Sequence, residues 1–315
     1  MSILVTGGCG FIGSNVLNYL IPKYPNKHFY NIDKLDYCSS IDNVIKSDNY
    51  TLIVGNICDV QLITQTLSDY NIDVIIHIAA QTHVDNSFGN SIQFTYDNVL
   101  GTHTLLECCK NYGKITLFIH MSTDEVYGEV DINHTGCDEI SILNPTNPYA
   151  ATKAGAEFLC RSYLISFKLP IIIVRGNNVY GSNQYPEKLI PKTINHILNH
   201  QKCIIHGSGN TRRNFIHAFD VATAIEIIML NGRIGEIYNI GTNDEYSVLD
   251  IVKMILHDFQ IDDHIDDHIQ YVDDRPFNDF RYSINTSKLE NLGWKKSIPF
   301  HTGLIDTILH YKSKL

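Results

Sequence analysis

The chain has 315 residues, of which 44% are hydrophobic and 18% are charged. That length suits one large domain with a smaller lobe, and the composition is that of a globular protein. The net charge of −10 argues against nucleic acid and anionic membranes as partners, because both attract basic surfaces. A small anionic ligand remains compatible if a few arginines meet it locally.

Eight cysteines are scattered along the chain without a C-x-x-C pair. This pattern argues against a zinc site or a disulfide framework and predicts reduced thiols in the cytoplasm. The apolar runs are shorter than the roughly 20 residues of a membrane helix, and MSILVTGG is too short for a signal peptide. His264 and His268 have a spacing that could hold a metal ion, but we interpret their acidic surroundings as a solvated connector and predict no metal.

Continuous apolar runs recur in the first half of the chain, as expected of strands that are buried on both faces. They lie at residues 3–6, 28–32, 50–55, 73–78, 115–121 and 171–175. Segments of helical length separate them at residues 60–70, 91–112 and 149–167. The alternation predicts an α/β fold, a Rossmann-type doubly wound parallel sheet, over residues 1–175.

After residue 175, prolines and glycines separate shorter secondary-structure elements. This change predicts a smaller C-terminal substrate lobe over residues 176–315. HGSGN at 206–210 indicates a turn between two short strands, and EIYNIG at 236–241 indicates a further strand. We expect residues 216–241 to return to the parallel sheet. Helices are predicted at 218–230, 247–259 and 300–311.

A glycine-rich stretch, VTGGCGFIGS, follows the first predicted strand and opens a helix, with Gly7, Gly10 and Gly13 at three-residue intervals. Glycines let the backbone turn tightly and approach a diphosphate at the helix N-terminus. Asp33 lies twenty residues after Gly13, where a carboxylate accepts hydrogen bonds from the adenosine ribose and disfavours the extra phosphate of NADP. The pattern therefore favours NAD; a plain structural turn is the alternative.

Other cofactor contacts are predicted around the same loop. Lys34 weakens the preference for NAD, because its charge would suit the phosphate of NADP. Ala79 and Ala80 are small residues at the end of the fourth predicted strand, where backbone can lie against the cofactor. Two further pairs of residues complete the predicted cofactor set: Phe11 and Ile12 in the glycine loop, and Asn56 and Ile57 after the third strand.

Tyr149 and Lys153, in NPYAATK, are four residues apart and share a helix face if this segment is helical. A lysine ammonium near a phenol favours the phenolate, so we expect the pKa of the tyrosine to be lowered. A phenolate can remove the proton of a sugar hydroxyl while hydride leaves the same carbon for NAD. The alternative is a surface pair with no catalytic role.

The glycine loop, STDEVYG and NPYAATK together resemble the extended short-chain dehydrogenase/reductase family. Four stretches narrow the resemblance to the nucleotide-diphosphate-glucose 4,6-dehydratases: AAQTHVDNSFGNS, MSTDEVYG, NQYPEKLIP and DDRPFNDFRY. The residues of VDNSFGNS and RPFNDFRY resemble most closely the UDP-glucose dehydratases of rhamnose formation. The dTDP-glucose enzymes come next in similarity. The resemblance covers nearly the whole chain.

The resemblance implies oxidation at carbon 4 of the sugar, loss of water across carbons 5 and 6, and return of hydride to carbon 6. It assigns Asp124 as the acid, Glu125 as the base and Thr123 as a hydrogen-bonding partner of oxygen 4, beside Tyr149 and Lys153. Two carboxyl groups in different protonation states suit this chemistry. A sugar 4-epimerase, which needs no carboxylate pair, is the alternative enzyme, and an NAD-binding sensor without activity is the alternative outside catalysis.

The same resemblance implies how the substrate is held and how chains associate. Arg213 matches the phosphate-binding arginine of the family, and arginine forks suit phosphate oxygens. A surface ion pair is the alternative for each arginine. A homodimer is implied through the segments 91–112 and 149–167. The predicted substrate contacts are Ser87, Thr123, Asn178, Glu187, Lys188, Leu189, Arg213, Arg275 and Arg281.

Overall fold

The computed structural model describes residues 1–274 and 279–314. Its strands are β1 (Ser2–Thr6), β2 (His28–Asp33), β3 (Tyr50–Val54), β4 (Ile72–His77), β5 (Leu117–Thr123), β6 (Ile171–Gly176), β7 (Asn178–Tyr180), β8 (Cys203–His206), β9 (Arg212–His217), β10 (Ile237–Ile240), β11 (Glu245–Ser247) and β12 (Ile269–Val272). Its α-helices are α1 (Phe11–Lys23), α2 (Val60–Asp69), α3 (Val84–Gly89), α4 (Ser91–Phe94), α5 (Gly101–Tyr112), α6 (Pro148–Phe167), α7 (Leu189–Leu198), α8 (Ala218–Asn231), α9 (Val248–Asp258), α10 (Ser287–Glu290) and α11 (Phe300–Lys312).

A parallel sheet organises the larger part of the molecule, with the strand order β10-β6-β5-β4-β1-β2-β3. Its central strands are apolar on both faces: Ile3, Leu4 and Val5 of β1 are all fully buried. One face packs on α1 and α8, and the other packs on α2, α5 and α6. The predicted fold, a doubly wound sheet of the Rossmann type, is confirmed.

The smaller lobe consists of short strands in two small sheets, together with helices. β7, β9 and β11 form one small sheet, and β8 pairs in parallel with β12. A separate hydrophobic cluster joins α7, α9 and α11 to these strands. The turn HGSGN does lie between two short strands, but β8 and β9 pair with other strands rather than with each other. β10 pairs with β6 and so belongs to the large sheet.

Two elements differ from the sequence prediction. The expected single helix over 91–112 is divided into α4, a π-helical segment (Thr95–Leu100) and α5. The wider π turn brings Asp97 and Asn98 into the interior, where they are buried. The fifth strand continues to Thr123, beyond the predicted end at residue 121, so that Thr123 leaves the sheet at its carboxyl edge.

The predicted acidic connector contains a short 3-10 helix, Ile265–His268, directly before β12. Within the described ranges, no group of three or more His, Cys, Asp or Glu side chains is arranged to hold a metal ion. Among these same residues, none of the helices has the length and apolar character needed to cross a membrane. All eight cysteines are free thiols.

Candidate active site

A deep cleft runs along the carboxyl ends of the parallel strands and is closed on its far side by the smaller lobe. The sheet contributes the ends of β1, β2, β4, β5 and β6, and the lobe contributes residues of α7, β8 and β9. The carboxyl edge of an open parallel sheet is the usual ligand site of this architecture. The cleft is long enough to be lined at one end by the glycine loop and at the other by Arg213.

The glycine loop between β1 and α1 is held close to the end of β4. Gly7 has a φ of +72°, and a Cβ atom there would lie 2.7 Å from the Cα atom of Ala79. A Cβ atom on Gly13 would lie 2.2 Å from the carbonyl oxygen of Gly7. Helix α1 begins at Phe11, and its N-cap residue, Gly10, provides no side-chain hydrogen bond. Its first amide groups can therefore donate to an anion at the mouth of the loop, as a diphosphate requires.

The carboxylate of Asp33 closes the same end of the cleft. It accepts hydrogen bonds from the backbone amides of Cys9 (2.9 Å) and Leu35 (2.8 Å). The ammonium group of Lys34 lies 2.9 Å from both Asp36 and Asp97. Because two carboxylates already neutralise Lys34, its charge is not free to attract an additional phosphate. Phe11, Ile12, Asn56, Ile57, Ala79 and Ala80 line the neighbouring walls, as the sequence predicted.

Asp124 opens a 3-10 turn, Asp124–Tyr127, directly after β5 and lies just behind the cleft wall, where it is 2% exposed. Its Oδ2 accepts from the Asn177 side chain (2.8 Å), and its Oδ1 accepts from the Thr123 hydroxyl (3.2 Å). Burial, reinforced by the charge of Glu125, raises the pKa of Asp124 to about 7 against these hydrogen bonds. Asp124 is therefore a carboxyl group that holds a proton up to neutral pH.

Glu125 and Thr123 lie in the cleft wall itself. The Asn147 side chain donates to Oε2 of Glu125 at 2.9 Å. Burial raises the pKa of Glu125, while the hydrogen bond from Asn147 and the charges of Arg213 and Lys188 oppose the increase. The structure thus provides a partly accessible carboxylate beside a buried, protonated carboxyl group, which is the arrangement that acid–base catalysis needs.

Tyr149 lies in the first turn of α6 and lines the cleft. Asn147 caps this helix by accepting from the Ala150 amide at 2.9 Å, and Pro148 occupies the first helical position. Burial and then the charge of Glu125 raise the pKa of Tyr149, and a hydrogen bond with Thr123 opposes them. The prediction that the lysine lowers this pKa is wrong for the protein's own groups, because burial and the charges of Glu125 and Asp124 raise it and the opposing effect comes from Thr123.

Lys153 follows one helical turn later and also lines the cleft. Its ammonium group donates to the carbonyl oxygen of Met121 in β5 at 2.6 Å. Burial lowers the pKa of Lys153 to about 8, and the carboxylate of Glu157 acts against this decrease. The bond fixes the ammonium group on β5, two residues before Thr123, and Lys153 lies one helical turn from Tyr149 on α6.

Arg213 presents a cation at the opposite end of the cleft. Its guanidinium group lies 4.6 Å from the centre of the Tyr282 ring and donates to the backbone carbonyls of Arg212 (2.8 Å) and Asp279 (2.8 Å). Its charge lowers the pKa values of Asp124 and Glu125. Because backbone carbonyls carry no net charge, the positive charge of Arg213 is available to an anionic ligand.

Four predicted substrate residues of the smaller lobe line the cleft: Asn178, Glu187, Lys188 and Leu189. The buried amide nitrogen of Asn178 has no hydrogen-bond partner within residues 1–274 and 279–314, as expected of a donor reserved for a ligand. Lys188 donates to the carbonyl of Thr82 (2.8 Å), and burial lowers its pKa. Glu187 accepts from the Tyr37 hydroxyl (3.0 Å).

Two other residues that were predicted to contact the substrate, Ser87 and Arg281, instead bond to groups of the protein. The Ser87 hydroxyl is buried and donates to the carbonyl of Val84 at 2.6 Å. The guanidinium group of Arg281 lies 2.5 Å from Glu245 and donates to two carbonyls of the 131–134 turn. An ion pair within the lobe thus occupies Arg281, contrary to the expectation that it binds phosphate. Arg275, a third predicted phosphate contact, lies outside the described residues.

Comparison with known proteins places this site in a family. The model of the family described as GDP-mannose 4,6 dehydratase matches residues 4–307. The dTDP-D-glucose 4,6-dehydratase of Dictyostelium discoideum is 49% identical over 99% of this chain and 81% of that protein. The chain belongs to the nucleotide-diphosphate-glucose 4,6-dehydratases of the extended short-chain dehydrogenase/reductase family. The family that the sequence motifs predicted is therefore confirmed.

Two further relatives agree with this assignment. The crystal structure of dTDP-glucose 4,6-dehydratase from Streptomyces venezuelae, solved with NAD bound, has a TM-score of 0.94 and 35% identity, covering 99% of this chain and 97% of that one. A trifunctional UDP-glucose 4,6-dehydratase of Arabidopsis thaliana, which also carries epimerase and reductase activities, is 49% identical over 98% of this chain. This dehydratase spans about half the length of that plant protein, 47%.

The motifs did not reveal four side chains that organise the site of this dehydratase. Asn177 and Asn147 hold the two carboxyl groups, and Asp279 and Tyr282 line the wall beside Arg213. The role of Asn147 as a helix cap was indicated by its neighbour, because an asparagine before a proline often caps a helix. Asn177 had none, since its contact with Asp124 joins residues 53 positions apart in the sequence.

Proposed function

We propose that this dehydratase converts a nucleotide-diphosphate glucose, UDP-glucose in preference to dTDP-glucose, into the 4-keto-6-deoxy sugar. The observation that carries the proposal is the carboxyl pair at the end of β5. Asp124 is protonated up to about pH 7, and Glu125 faces the cleft beside Tyr149. Elimination of water from a hexose needs such an acid and such a base, whereas a 4-epimerase needs neither.

NAD is the cofactor of this enzyme, and the residues of the cleft fit it. The glycine loop provides room for a diphosphate at the start of α1, and the carboxylate of Asp33 lies at the same end of the cleft, where it can accept hydrogen bonds from ribose hydroxyls. Lys34 is neutralised by Asp36 and Asp97, which disfavours NADP. Bound NAD supplies a hydride acceptor for carbon 4 of the sugar and a hydride donor for carbon 6.

Oxidation at carbon 4 relies on Tyr149 as the base that removes the proton of the 4-hydroxyl. Because burial and Glu125 raise the pKa of Tyr149 in the protein alone, the phenolate would need the positive charge of bound NAD beside the ammonium group of Lys153, which its bond to Met121 fixes on β5. Thr123, which hydrogen-bonds Tyr149, can turn its single hydroxyl proton from Asp124 to oxygen 4 and stabilise charge there.

Elimination follows because a ketone at carbon 4 acidifies the hydrogen on carbon 5. Glu125 removes that hydrogen, and Asp124 gives its proton to the hydroxyl group that leaves carbon 6. Because the Asn177 side chain donates to Oδ2 of Asp124, the proton of the carboxyl group is carried on Oδ1, which lies 3.2 Å from the Thr123 hydroxyl. Asn177 and Asn147 keep the two carboxyl groups in separate environments.

Recognition of the diphosphate is assigned to Arg213, with Asn178 as a neutral donor. Arg275 remains a candidate by its position in the sequence motif. The base of the nucleotide has a smaller effect, because uracil and thymine differ by one methyl group, worth about 1 kcal/mol in a pocket. Identity of 49% to relatives named for each nucleotide makes both substrates the ones to test.

We also propose that this dehydratase forms a homodimer. Exposed apolar side chains share the surface formed by α4, the π segment, α5 and α6, where a second copy would cover them. They include Ile92 (82% exposed), Phe158 (61%) and Ile165 (57%). We expect twice the chain mass in sedimentation at micromolar concentration; a monomer would contradict this part of the proposal.

The function is tested by incubating the NAD-loaded protein with UDP-glucose and, separately, with dTDP-glucose. We expect a product lighter by one water from both, with the larger kcat/KM for UDP-glucose. A product of unchanged mass would favour the 4-epimerase. Binding of both nucleotides without turnover would favour a sensor without catalytic activity.

A further inference from the structure

A buried ion pair lies behind the active site, out of contact with the cleft. Glu157 of α6 and Arg175 of β6 are each 3% exposed. Nη2 of Arg175 lies 2.6 Å from Oε2 of Glu157, and Nε donates to both carboxylate oxygens at 3.1 Å. Burying two charges is costly unless each is fully hydrogen-bonded. Beyond the effect of the Glu157 charge on the pKa of Lys153, the chemistry proposed above uses neither side chain, so the pairing with Arg175 requires another explanation.

The remaining nitrogen of Arg175 points toward the segment that carries the catalytic carboxyl groups. Its Nη1 donates to the Tyr127 hydroxyl at 2.8 Å, and the guanidinium carbon lies 4.7 Å from the Tyr127 ring centre. The Tyr127 hydroxyl in turn donates to Oδ1 of Asn239 at 2.8 Å. Tyr127 is the last residue of the single 3-10 turn that begins with Asp124 and Glu125. The turn is thus anchored at its end by Arg175.

Glu157 connects the same arginine to the catalytic helix. It lies one turn beyond Lys153 and two turns beyond Tyr149 on α6, so the three side chains lie on one face. The planar fork of arginine allows Arg175 to hold Glu157 with one edge and Tyr127 with the other, which the point charge of a lysine cannot do. A hydrogen-bonded path therefore runs from α6 through β6 to the turn 124–127.

We propose that Arg175, with Glu157 and Tyr127, is a positioning unit that sets the distance between the acid–base turn and the helix bearing Tyr149. This inference rests on the proposed dehydration. Oxidation depends on Tyr149 and Lys153, which α6 places directly. Elimination depends on Asp124 and Glu125, whose turn reaches α6 through this path and through the Asn147 contact. Loss of the path should therefore slow elimination more than oxidation, because small displacements of catalytic groups are costly.

Tyr127→Phe is the sharpest test, since it removes one hydroxyl and keeps the ring. Tyr238→Phe is the matched control: Tyr238 is 2% exposed, and its hydroxyl accepts from the Arg233 amide, away from the cleft. Each NAD-loaded variant is assayed with UDP-glucose carrying deuterium at carbon 4 or at carbon 5. For Tyr127→Phe we expect kcat to fall about tenfold with KM unchanged, a larger isotope effect from carbon 5 and a smaller one from carbon 4.

Arg175→Lys is the second variant, because it keeps a positive charge for Glu157 but loses the fork to Tyr127. It should shift the two isotope effects in the same directions as Tyr127→Phe. Isotope effects equal to those of the wild type, in any variant that folds, would overturn the inference even if kcat fell. A purely structural role predicts that outcome, with Tyr127→Phe and Tyr238→Phe losing similar thermal stability and similar activity. Wild-type dehydration in the same assay separates failure of this inference from failure of the proposed function.

Discussion

The two walls of the cleft differ in how they hold their polar groups. At the sheet edge, Asp124 and Lys153 are buried and have pKa values of about 7 and about 8, far from their usual values. Side chains and strand carbonyls fix them in place. In the smaller lobe, the guanidinium group of Arg213 is held by the neutral backbone carbonyls of Arg212 and Asp279. Side chains with shifted pKa values suit proton transfer. An arginine, whose guanidinium group is a permanent cation, suits recognition of an anionic substrate.

The largest expected effect is at the sheet edge. Tyr149→Phe removes the base of the first step, so kcat should fall about a thousandfold. KM and the content of bound NAD should stay unchanged, since the ring is retained. Steady-state kinetics and cofactor absorbance measure all three, with Tyr238→Phe as the control. A decrease in kcat below about tenfold would remove Tyr149 from the chemistry.

Glu125→Gln separates the two halves of the reaction. Elimination should become about a hundredfold slower, because the amide cannot accept the hydrogen of carbon 5. Oxidation should continue, so mixing with UDP-glucose should still produce the absorbance of reduced nicotinamide. Exchange of the carbon-5 hydrogen with deuterated water, measured by mass spectrometry, should be lost. Unchanged exchange would assign the base to another residue.

Arg213→Lys tests the opposite wall. Replacing the fork by a point charge should raise KM about tenfold through weaker phosphate contacts. We expect kcat to change less than about threefold, because the sheet edge is untouched. Arg281→Lys is the matched control, since Arg281 pairs with Glu245 in the same lobe and should leave KM unchanged. Equal effects of both substitutions would contradict the assignment of Arg213.

The pH dependence of kcat/KM, which reports the free enzyme, should be bell-shaped. Activity should decrease as the pH rises through about 7, because Asp124 loses the proton that it must donate. It should also decrease on the acid side as Glu125 is protonated at a pKa above its usual value. In Asp124→Asn the residual activity should lack the alkaline decrease. An alkaline limb that survives in this variant would belong to another group.

The smallest effect concerns stability. The folded protein binds the proton of Asp124 more tightly than the unfolded chain, with a pKa of about 7 against 3.8. Ionisation of Asp124 therefore lowers the free energy of unfolding. This loss of stability is absent below about pH 4, grows as the pH rises, and is complete above about pH 7. Asp124→Asn should raise the melting temperature by about 5 °C at pH 8 and leave it unchanged near pH 4. An equal shift at both values would show that charge is not the cause.

Local sequence patterns were sufficient for the parallel sheet. Continuous apolar runs marked its strands, fixed spacings identified the glycine loop and the Tyr149–Lys153 pair, and the family resemblance assigned the Asp124–Glu125 pair. These features depend on neighbours within a few residues. The fold and the chemical groups of the site could thus be predicted before any contact was known.

Contacts between distant segments could not be predicted in this way. The pairing of Arg281 with Glu245 depends on the bridge of Arg281 to Arg212 of β9 and on the pairing of β9 with β11, and it changed the expected role of that arginine. The raised pKa of Tyr149 comes from burial and from Glu125, which no local spacing reveals. The Arg175–Tyr127 bond joins residues 48 positions apart.

The most direct test of the account is the fate of deuterium placed at carbon 4 of UDP-glucose. If oxidation, elimination and reduction all occur on one bound sugar, the product is lighter by one water and carries the label at carbon 6. Mass spectrometry of the product with positional fragmentation measures both. Label lost to solvent, or a product of unchanged mass with label still at carbon 4, would contradict the account.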